Sequence, residues 1–286
     1  MIIDNSKKIL IIGLGLIGGS YAKALKQKGY SVSAITLCQK DIDYAVENGI
    51  IDSGSSKVDE QMIADADIIV FALYPHIFVE WIENNGHLIK EGTVVTDVTG
   101  VKGCVVYKIQ SILPKGVEFI AAHPMAGREV YGVENSDPSI FKNANYIVVP
   151  TEKNTFSAIE LCKSLGQELG FSDVSVLPPE KHAEMIGFLS QLTHCIAVAL
   201  MCASDDPNLE KYTGDSFRDL TRIANINDEM WSELFLANRE TLLTQMDSYR
   251  TTFERLYNCI KNSDREEMRS MMRISAERRR NFDKKA

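Results

Sequence analysis

The run Phe119-Ile120-Ala121-Ala122 ends on His123-Pro124. An apolar run of this kind reads as a buried strand, and a residue before proline is confined to extended backbone. The imidazole is thus delivered at a strand's carboxyl end, where open α/β sheets bind their ligands. A histidine there exchanges protons near neutral pH; the bland alternative is a histidine bracing a loop. Val95-Thr96-Asp97-Val98-Thr99-Gly100-Val101-Lys102-Gly103 is a second strand-to-turn segment expected at the same edge. Ser190 and His194 stand at i and i+4, on one face of a helix, and Arg218 and Arg222 share that spacing. A guanidinium is suited to bidentate capture of a carboxylate. Against these stand a satisfied core histidine at 194 and a solvated charge at 218.

Lys8-Ile9-Leu10-Ile11-Ile12 leads into Gly13-Leu14-Gly15-Leu16-Ile17-Gly18. In a strand–turn–helix this pattern cradles a dinucleotide. Gly13 makes the tight turn, Gly15 lets a pyrophosphate approach, and Gly18 lets helix and strand pack closely. Leu16 and Ile17 open the helix whose free N–H groups face the phosphates. The next strand, Ser31 to Ile35, ends in Thr36-Leu37-Cys38-Gln39-Lys40 with no acid until Asp41. A carboxylate normally holds the ribose 2′-hydroxyl of NAD there. Thr36 tolerates a 2′-phosphate and Lys40 is placed to meet one, so NAD and NADP both stay open.

The elements that must position these groups alternate. Ile9–Ile12, Val32–Ile35, Ile68–Ala72, Val94–Thr96, Phe119–Ala122 and Tyr146–Val149 read as buried strands, with helical patterns such as Gly18–Lys28 and Ile42–Asn48 between them. That order argues for a parallel sheet with right-handed crossovers. A helix at Ala158–Leu169 and a strand at Val174–Leu177 are expected to complete the sheet. Pro178-Pro179 marks a boundary. Beyond it every signal is helical: Glu180–Ala203, apolar nearly all round and so expected to be the buried centre of a second domain or of an interface, then Thr213–Arg222, a kinked Asp228–Asp264, and Arg265–Phe282. The expected architecture is an α/β Rossmann-type dinucleotide-binding domain over residues 1–178, followed by an all-α helical domain over 179–286.

Composition narrows the class. With 31 Lys and Arg against 39 Asp and Glu, the net charge of −8 argues against nucleic-acid or membrane-surface partners. Polar residues interrupting Met185–Met201 argue against a membrane span. Six scattered cysteines without a CxxC pair read as reduced thiols of a cytoplasmic protein rather than disulfides or a zinc site. No leader is expected before Ile9, nor a regulatory αβ module after the helices. The basic tail, Arg278-Arg279-Arg280 and Lys284-Lys285, reads as a solvated helix end.

The ordered set Gly13-x-Gly15-x-x-Gly18, Asp97-Val-Thr-Gly-Val-Lys102, His123-Pro-Met-Ala-Gly-Arg-Glu129, Ser190-Gln-Leu-Thr-His194 and Phe217-Arg-Asp-Leu-Thr-Arg-Ile-Ala224 resembles the prephenate/arogenate dehydrogenase family of tyrosine biosynthesis. The resemblance spans nearly the whole chain. It implies oxidative decarboxylation of a cyclohexadienol acid: hydride passes to NAD or NADP, carbon dioxide leaves, and the ring becomes aromatic. It also implies that His123 withdraws the ring hydroxyl's proton and that Arg222 holds the substrate carboxylate. His194 and Ser190 would line the substrate pocket, Arg218 would attract a dianion, and Asp97 would lie by the cofactor. A homodimer through the helical domain follows too.

Three residues depart from the family pattern. Gly100 stands where a serine is usual, which leaves Thr99 or a water to supply a hydroxyl beside His123. Gln191 replaces a histidine, and Thr36 the acid. Prephenate and arogenate are not distinguished by these residues. A β-hydroxyacid dehydrogenase would need a helix lysine followed one turn later by asparagine, whereas Lys181 is followed by Met185. A dinucleotide-responsive protein without turnover has only Gly100 in its favour.

Overall fold

The computed structural model describes residues 3–128 and 130–282; Glu129 and the Lys284-Lys285 pair lie outside the described residues. Strands β1 (Lys8–Ile12), β2 (Ser31–Ile35), β3 (Ser53–Ser55), β4 (Ile68–Phe71), β5 (Val94–Asp97) and β6 (Glu118–Phe119) form a parallel sheet in the order β3-β2-β1-β4-β5-β6. Helices α1 (Leu16–Gln27), α2 (Gln39–Glu47), α3 (Glu60–Asp65), α4 (Pro75–Asn85) and α5 (Gly103–Ile112) lie along the connections. Alternation along each strand feeds two cores. Ile9, Ile11, Val32 and Val70 pack with Tyr21 and Leu25 of α1 on one face. Leu10, Ile12, Ile69 and Phe71 pack with Phe78 of α4 and Ile109 of α5 on the other. The strand order reverses between β1 and β4, and ligands of such sheets bind at that crevice.

The expected strand Phe119–Ala122 is divided. Ile120 N–H makes the last parallel bond, to Val95 O at 3.0 Å. The chain then changes sheet: β7 (Ala121–Pro124) pairs antiparallel with β8 (Asn145–Val149). After α6 (Phe156–Glu168), β9 (Asp173–Val176) pairs parallel with β8. The Val174–Leu177 pattern therefore completes this three-stranded sheet, not the parallel one as expected. The change is possible because β5 stops at Asp97, whose carboxylate takes the Ala122 N–H at 3.1 Å in place of a ladder carbonyl.

Helix α7 (Pro179–Ile186), a π-helical stretch Gly187–Leu192 and α8 (Thr193–Met201) run on from one another. Within the single chain their burial is partial. Only 28% of their most apolar window is buried, with Phe188 and Leu189 half exposed, and the 23 residues Pro179–Met201 are long and apolar enough, by length and composition, to cross a membrane. Their polar groups are nonetheless bonded within the fold. Gln191 Nε2 donates to Leu234 O at 2.7 Å, and Asn238 Nδ2 donates to Gln191 Oε1 at 2.7 Å and to Ala183 O at 3.0 Å. Short helices α9 (Leu209–Tyr212) and α10 (Asp215–Thr221), a 3-10 turn Arg222–Ala224 and α11 (Asp228–Ala237) follow.

The chain divides into two compact units, Met1–Asn238 and Arg239–Ala286, so the expected boundary at Pro178 falls inside the first. The second unit is a hairpin of α12 (Arg239–Lys261) and α13 (Arg265–Arg279). Ser263 takes a left-handed φ of 55° at its turn, and Asp264 caps α13 by accepting from Glu267 N–H. The single kinked helix expected over Asp228–Asp264 is two helices, broken where Asn238 turns its amide to Ala183 and Gln191.

Candidate active site

The glycine turn has the geometry its spacing predicts. Gly13 takes φ +100°, and a Cβ there would lie 2.4 Å from Ala72 O. A Cβ on Gly18 would lie 2.0 Å from Gly13 O, which is the close helix–strand approach. Gly15 is different: nothing lies within 4 Å of its added Cβ. It is exposed at the N-terminus of α1, where no side chain caps the helix and its first turn holds no acid. Open space beside free N–H groups and a partial positive charge fits a pyrophosphate. Leu16 and Ile17 form that first turn. At the end of β2, Thr36 is held by its N–H to Ser55 O at 3.1 Å, and Lys40 is exposed in the first turn of α2. A dinucleotide is the group these residues fit.

Asp97 and Lys102 are fully buried and bonded to each other, Nζ to Oδ2, at 2.6 Å. Lys102 Nζ also donates to Ala122 O at 2.6 Å and to Thr99 Oγ1 at 3.1 Å. Burial pushes the ammonium's pKa down and the Asp97 carboxylate opposes that. Thr99 donates its hydroxyl to Asp97, with Val101 O 2.9 Å away. This arrangement bears on two sequence expectations. The Asp97 carboxylate is wholly occupied inside the protein rather than turned to a cofactor. The Thr99 hydroxyl is occupied in the same cluster, and the structure does not bring it to His123.

The cluster grips both peptide groups of Ala122, the residue before His123. His123 is half-buried on β7, and its Nδ1 lies 2.9 Å from Nε2 of His182, a fully buried side chain on α7. Burial, then His182, then the Lys102 charge hold the His123 imidazole well below its ordinary value of 6.5. Burial and Lys102 push His182 down to about 3. Both rings are neutral at neutral pH. The other nitrogen of His123, Nε2, faces Gly100: a Cβ added there would lie 3.8 Å from Nε2 and 3.7 Å from Leu234. A serine fits this place without displacing anything.

His194 belongs to a second group. Its Nδ1 donates to Ser190 O at 2.9 Å, so the i, i+4 pairing runs through a carbonyl rather than the Ser190 hydroxyl. The ring stacks on Trp231 with centroids 3.7 Å apart. Arg218 is exposed and pairs with Asp215 at 2.6 Å. Arg222 is exposed at the start of the 3-10 turn that packs on α8, the helix carrying His194. Helix α11 brings these parts together: Trp231 touches His194, Leu234 lies beside Gly100, and Glu233 binds His76 at the start of α4, Oε2 to Nδ1 at 2.7 Å. Sequence reasoning missed His182, Trp231 and Leu234.

Two family models match the chain: "Prephenate dehydrogenase, nucleotide-binding domain" over residues 21–172 and "Prephenate dehydrogenase, dimerization domain" over 178–274. The chain belongs to the prephenate dehydrogenase family. The first match begins inside α1, so the glycine turn rests on its own geometry. Prephenate dehydrogenase of Bacillus subtilis is 28% identical over 271 residues, covering 91% of this chain and 72% of that protein. The Lactococcus lactis enzyme of the same name is 32% identical over 253 residues, covering 85% and 68%. Among solved structures, prephenate dehydrogenase from A. aeolicus in complex with hydroxyphenyl propionate and NAD+ matches with a TM-score of 0.89 at 30% identity, covering 97% of this chain and 98% of that one. Membership of this dehydrogenase family agrees with the α/β domain followed by helices and with the dinucleotide cradle at Gly15.

The neutral imidazole pair has a thermodynamic signature. Both rings have folded pKa values below the unfolded 6.5, so under acid the unfolded chain takes up protons that the folded one refuses. Stability is full above about pH 6.5 and is lost as pH falls, on the order of 2 kcal/mol at about pH 5 for His182 alone. Urea unfolding at about pH 7.5 and pH 5 measures the loss. His182→Leu should show a smaller loss than wild type; equal losses would contradict the buried neutral pair.

Proposed function

We propose that this chain is a nicotinamide-dependent prephenate dehydrogenase, converting prephenate to 4-hydroxyphenylpyruvate in tyrosine biosynthesis. The observation that carries the reading is His123: neutral, anchored through Ala122, and with Nε2 turned toward Gly100, which carries no side chain. NAD or NADP, when bound, would supply the hydride acceptor and would be held by the N–H groups at Gly15, Leu16, Ile17 and Gly18, while Gly13, whose N–H is bonded to Ile35 O, makes the turn. His123 Nε2 takes the proton of the substrate's ring hydroxyl; the O–H bond breaks, an N–H bond forms, and the electron pair left on oxygen drives the hydride off the same carbon. The bond to the ring carboxylate then breaks, carbon dioxide leaves, the electron pair of that bond makes the ring aromatic, and the ring oxygen takes its proton back from His123. Arg222 holds a substrate carboxylate, Arg218 adds positive field at the entrance, and His194 on its Trp231 stack lines the pocket with Ser190. Thr99 serves the site by holding Asp97 and Lys102 in place.

The six described cysteines are all free, which supports a reducing cytoplasm as the site of action. Residues 179–286 are read as the substrate and dimerisation half. Leu243, Met246, Phe253, Tyr257 and Ile260 are exposed on α12 and recur at intervals of three, four and seven, so they share one face. A second copy of the chain is the occupant we assign to that stripe, in keeping with the description of the second family model. Sedimentation should give a dimer, and Phe253→Glu should shift it toward monomer. A monomeric wild-type chain would contradict the assignment.

The reaction is tested by absorbance of the reduced nicotinamide, with prephenate or arogenate each offered with NAD or NADP. Turnover is expected with prephenate, and the arogenate and NADP arms fix specificity at the same time. His123→Asn should cut kcat by about two to four decades with cofactor binding intact. Arg222→Ala should raise the prephenate KM by about tenfold or more, from a lost charge-assisted pair. Silence in all four mixtures from folded, cofactor-bound protein would overturn the reading.

A further inference from the structure

We propose that His182 is a positioning residue of this reaction: it is the acceptor that takes the His123 Nδ1–H when substrate binds, which leaves Nε2 bare for the substrate hydroxyl. The inference rests on the reaction proposed above. The two rings meet Nδ1 to Nε2 at 2.9 Å, with centroids 5.1 Å apart and planes inclined by 59°. One proton occupies that contact, and two arrangements are possible for a neutral pair. In the first, His123 Nδ1–H donates to His182 Nε2; His123 Nε2 then carries a lone pair and can take a proton. In the second, His182 Nε2–H donates to His123; Nε2 of His123 then bears hydrogen and cannot act as a base.

The surroundings of His182 set the balance between the two. Its side chain is fully buried, and its Nδ1 has no hydrogen-bond partner among the described residues. The first arrangement places an N–H at that orphan nitrogen; the second leaves it a bare lone pair. The resting pair is therefore not locked in the productive form by its own hydrogen bonds. A substrate hydroxyl arriving at His123 Nε2 as a donor is satisfied only by the first arrangement, so binding selects it. Once the proton has moved, the His123 imidazolium donates Nδ1–H to His182, and a bond to a charged donor is stronger than the neutral bond it replaces. The gain appears as the transition state forms, which places it in kcat rather than in KM. Burial and the nearby Lys102 ammonium keep His182 from ionising, which leaves its Nε2 able to accept.

The test compares His182→Leu, which fills the space without an acceptor, with His182→Gln, whose amide oxygen reaches the same point. With prephenate and cofactor, His182→Leu should lower kcat by about 10- to 100-fold, the worth of a hydrogen bond to a charged group, with both KM values within about twofold. His182→Gln should recover most of that loss. Wild-type kcat in His182→Leu, or a loss in His182→Gln equal to that in His182→Leu, would overturn the proposal; so would a KM rise matching the fall in kcat. Nitrogen NMR of the His123 ring in wild-type holoenzyme decides the matter if His182→Leu fails to fold. With 4-hydroxyphenylpyruvate bound, hydrogen should sit on Nδ1; hydrogen on Nε2 would refute the assignment. If wild-type protein turns over no substrate, the reaction reading fails, and the proton's position in the NMR experiment still decides the pairing.

Discussion

Everything chemical in this fold hangs on the buried ion pair of Asp97 and Lys102. Two charges in a protein interior cost desolvation that their attraction only partly returns, so such a pair is a weak source of net stability. Breaking one is another matter: an unpaired buried charge costs about 3–5 kcal/mol. Here the pair is satisfied almost completely, by the Thr99 hydroxyl and by both peptide groups of Ala122. The carboxylate stands where β5 has ended and supplies the acceptor the next strand needs. Through it the chain crosses from the parallel sheet to the three-stranded one and leaves His123 just past the junction. The same ammonium disfavours a second positive charge on the imidazoles nearby.

The two halves of the site come from different parts of the topology. The dinucleotide cradle belongs to the switch point between β1 and β4, where Gly13 approaches Ala72 too closely for any side chain. His123, proposed as the proton acceptor, belongs to β7, beyond the edge of that sheet. Helix α11 connects them to the helical region through three side chains one to two residues apart in sequence: Trp231 on His194, Glu233 on His76 and Leu234 beside Gly100. Asn238 and Gln191 fix that helix against the π-helical stretch.

Much of this was legible in the sequence where the signal is local. The glycine turn announces itself because Gly13 and Gly18 leave no room for a side chain, and the buried strands because their side chains repeat along short apolar runs. His123 was legible from its strand and its proline. His182 was not: it sits 59 residues away in an ordinary helix start, and only tertiary packing brings it to His123. The Asp97-to-Lys102 motif was visible, yet nothing in it says that its hydroxyl and carboxylate turn inward. The sheet change at Ile120 left no trace, since an apolar run looks the same whichever sheet it joins. For Pro179–Met201, likewise, apolar composition does not say whether its own chain or a second one covers the helix.

The central claim is that His123 acts as a neutral base because burial and Lys102 keep it so. The pH profile of kcat/KM tests this most directly, since it reports the ionisation of the free enzyme's essential base. The account predicts a plateau across neutral pH with the acid limb inflecting well below 6.5, the ordinary imidazole value, and loss of that limb in the residual activity of His123→Asn. An inflection at or above 6.5, or a limb that survives His123→Asn, would contradict it.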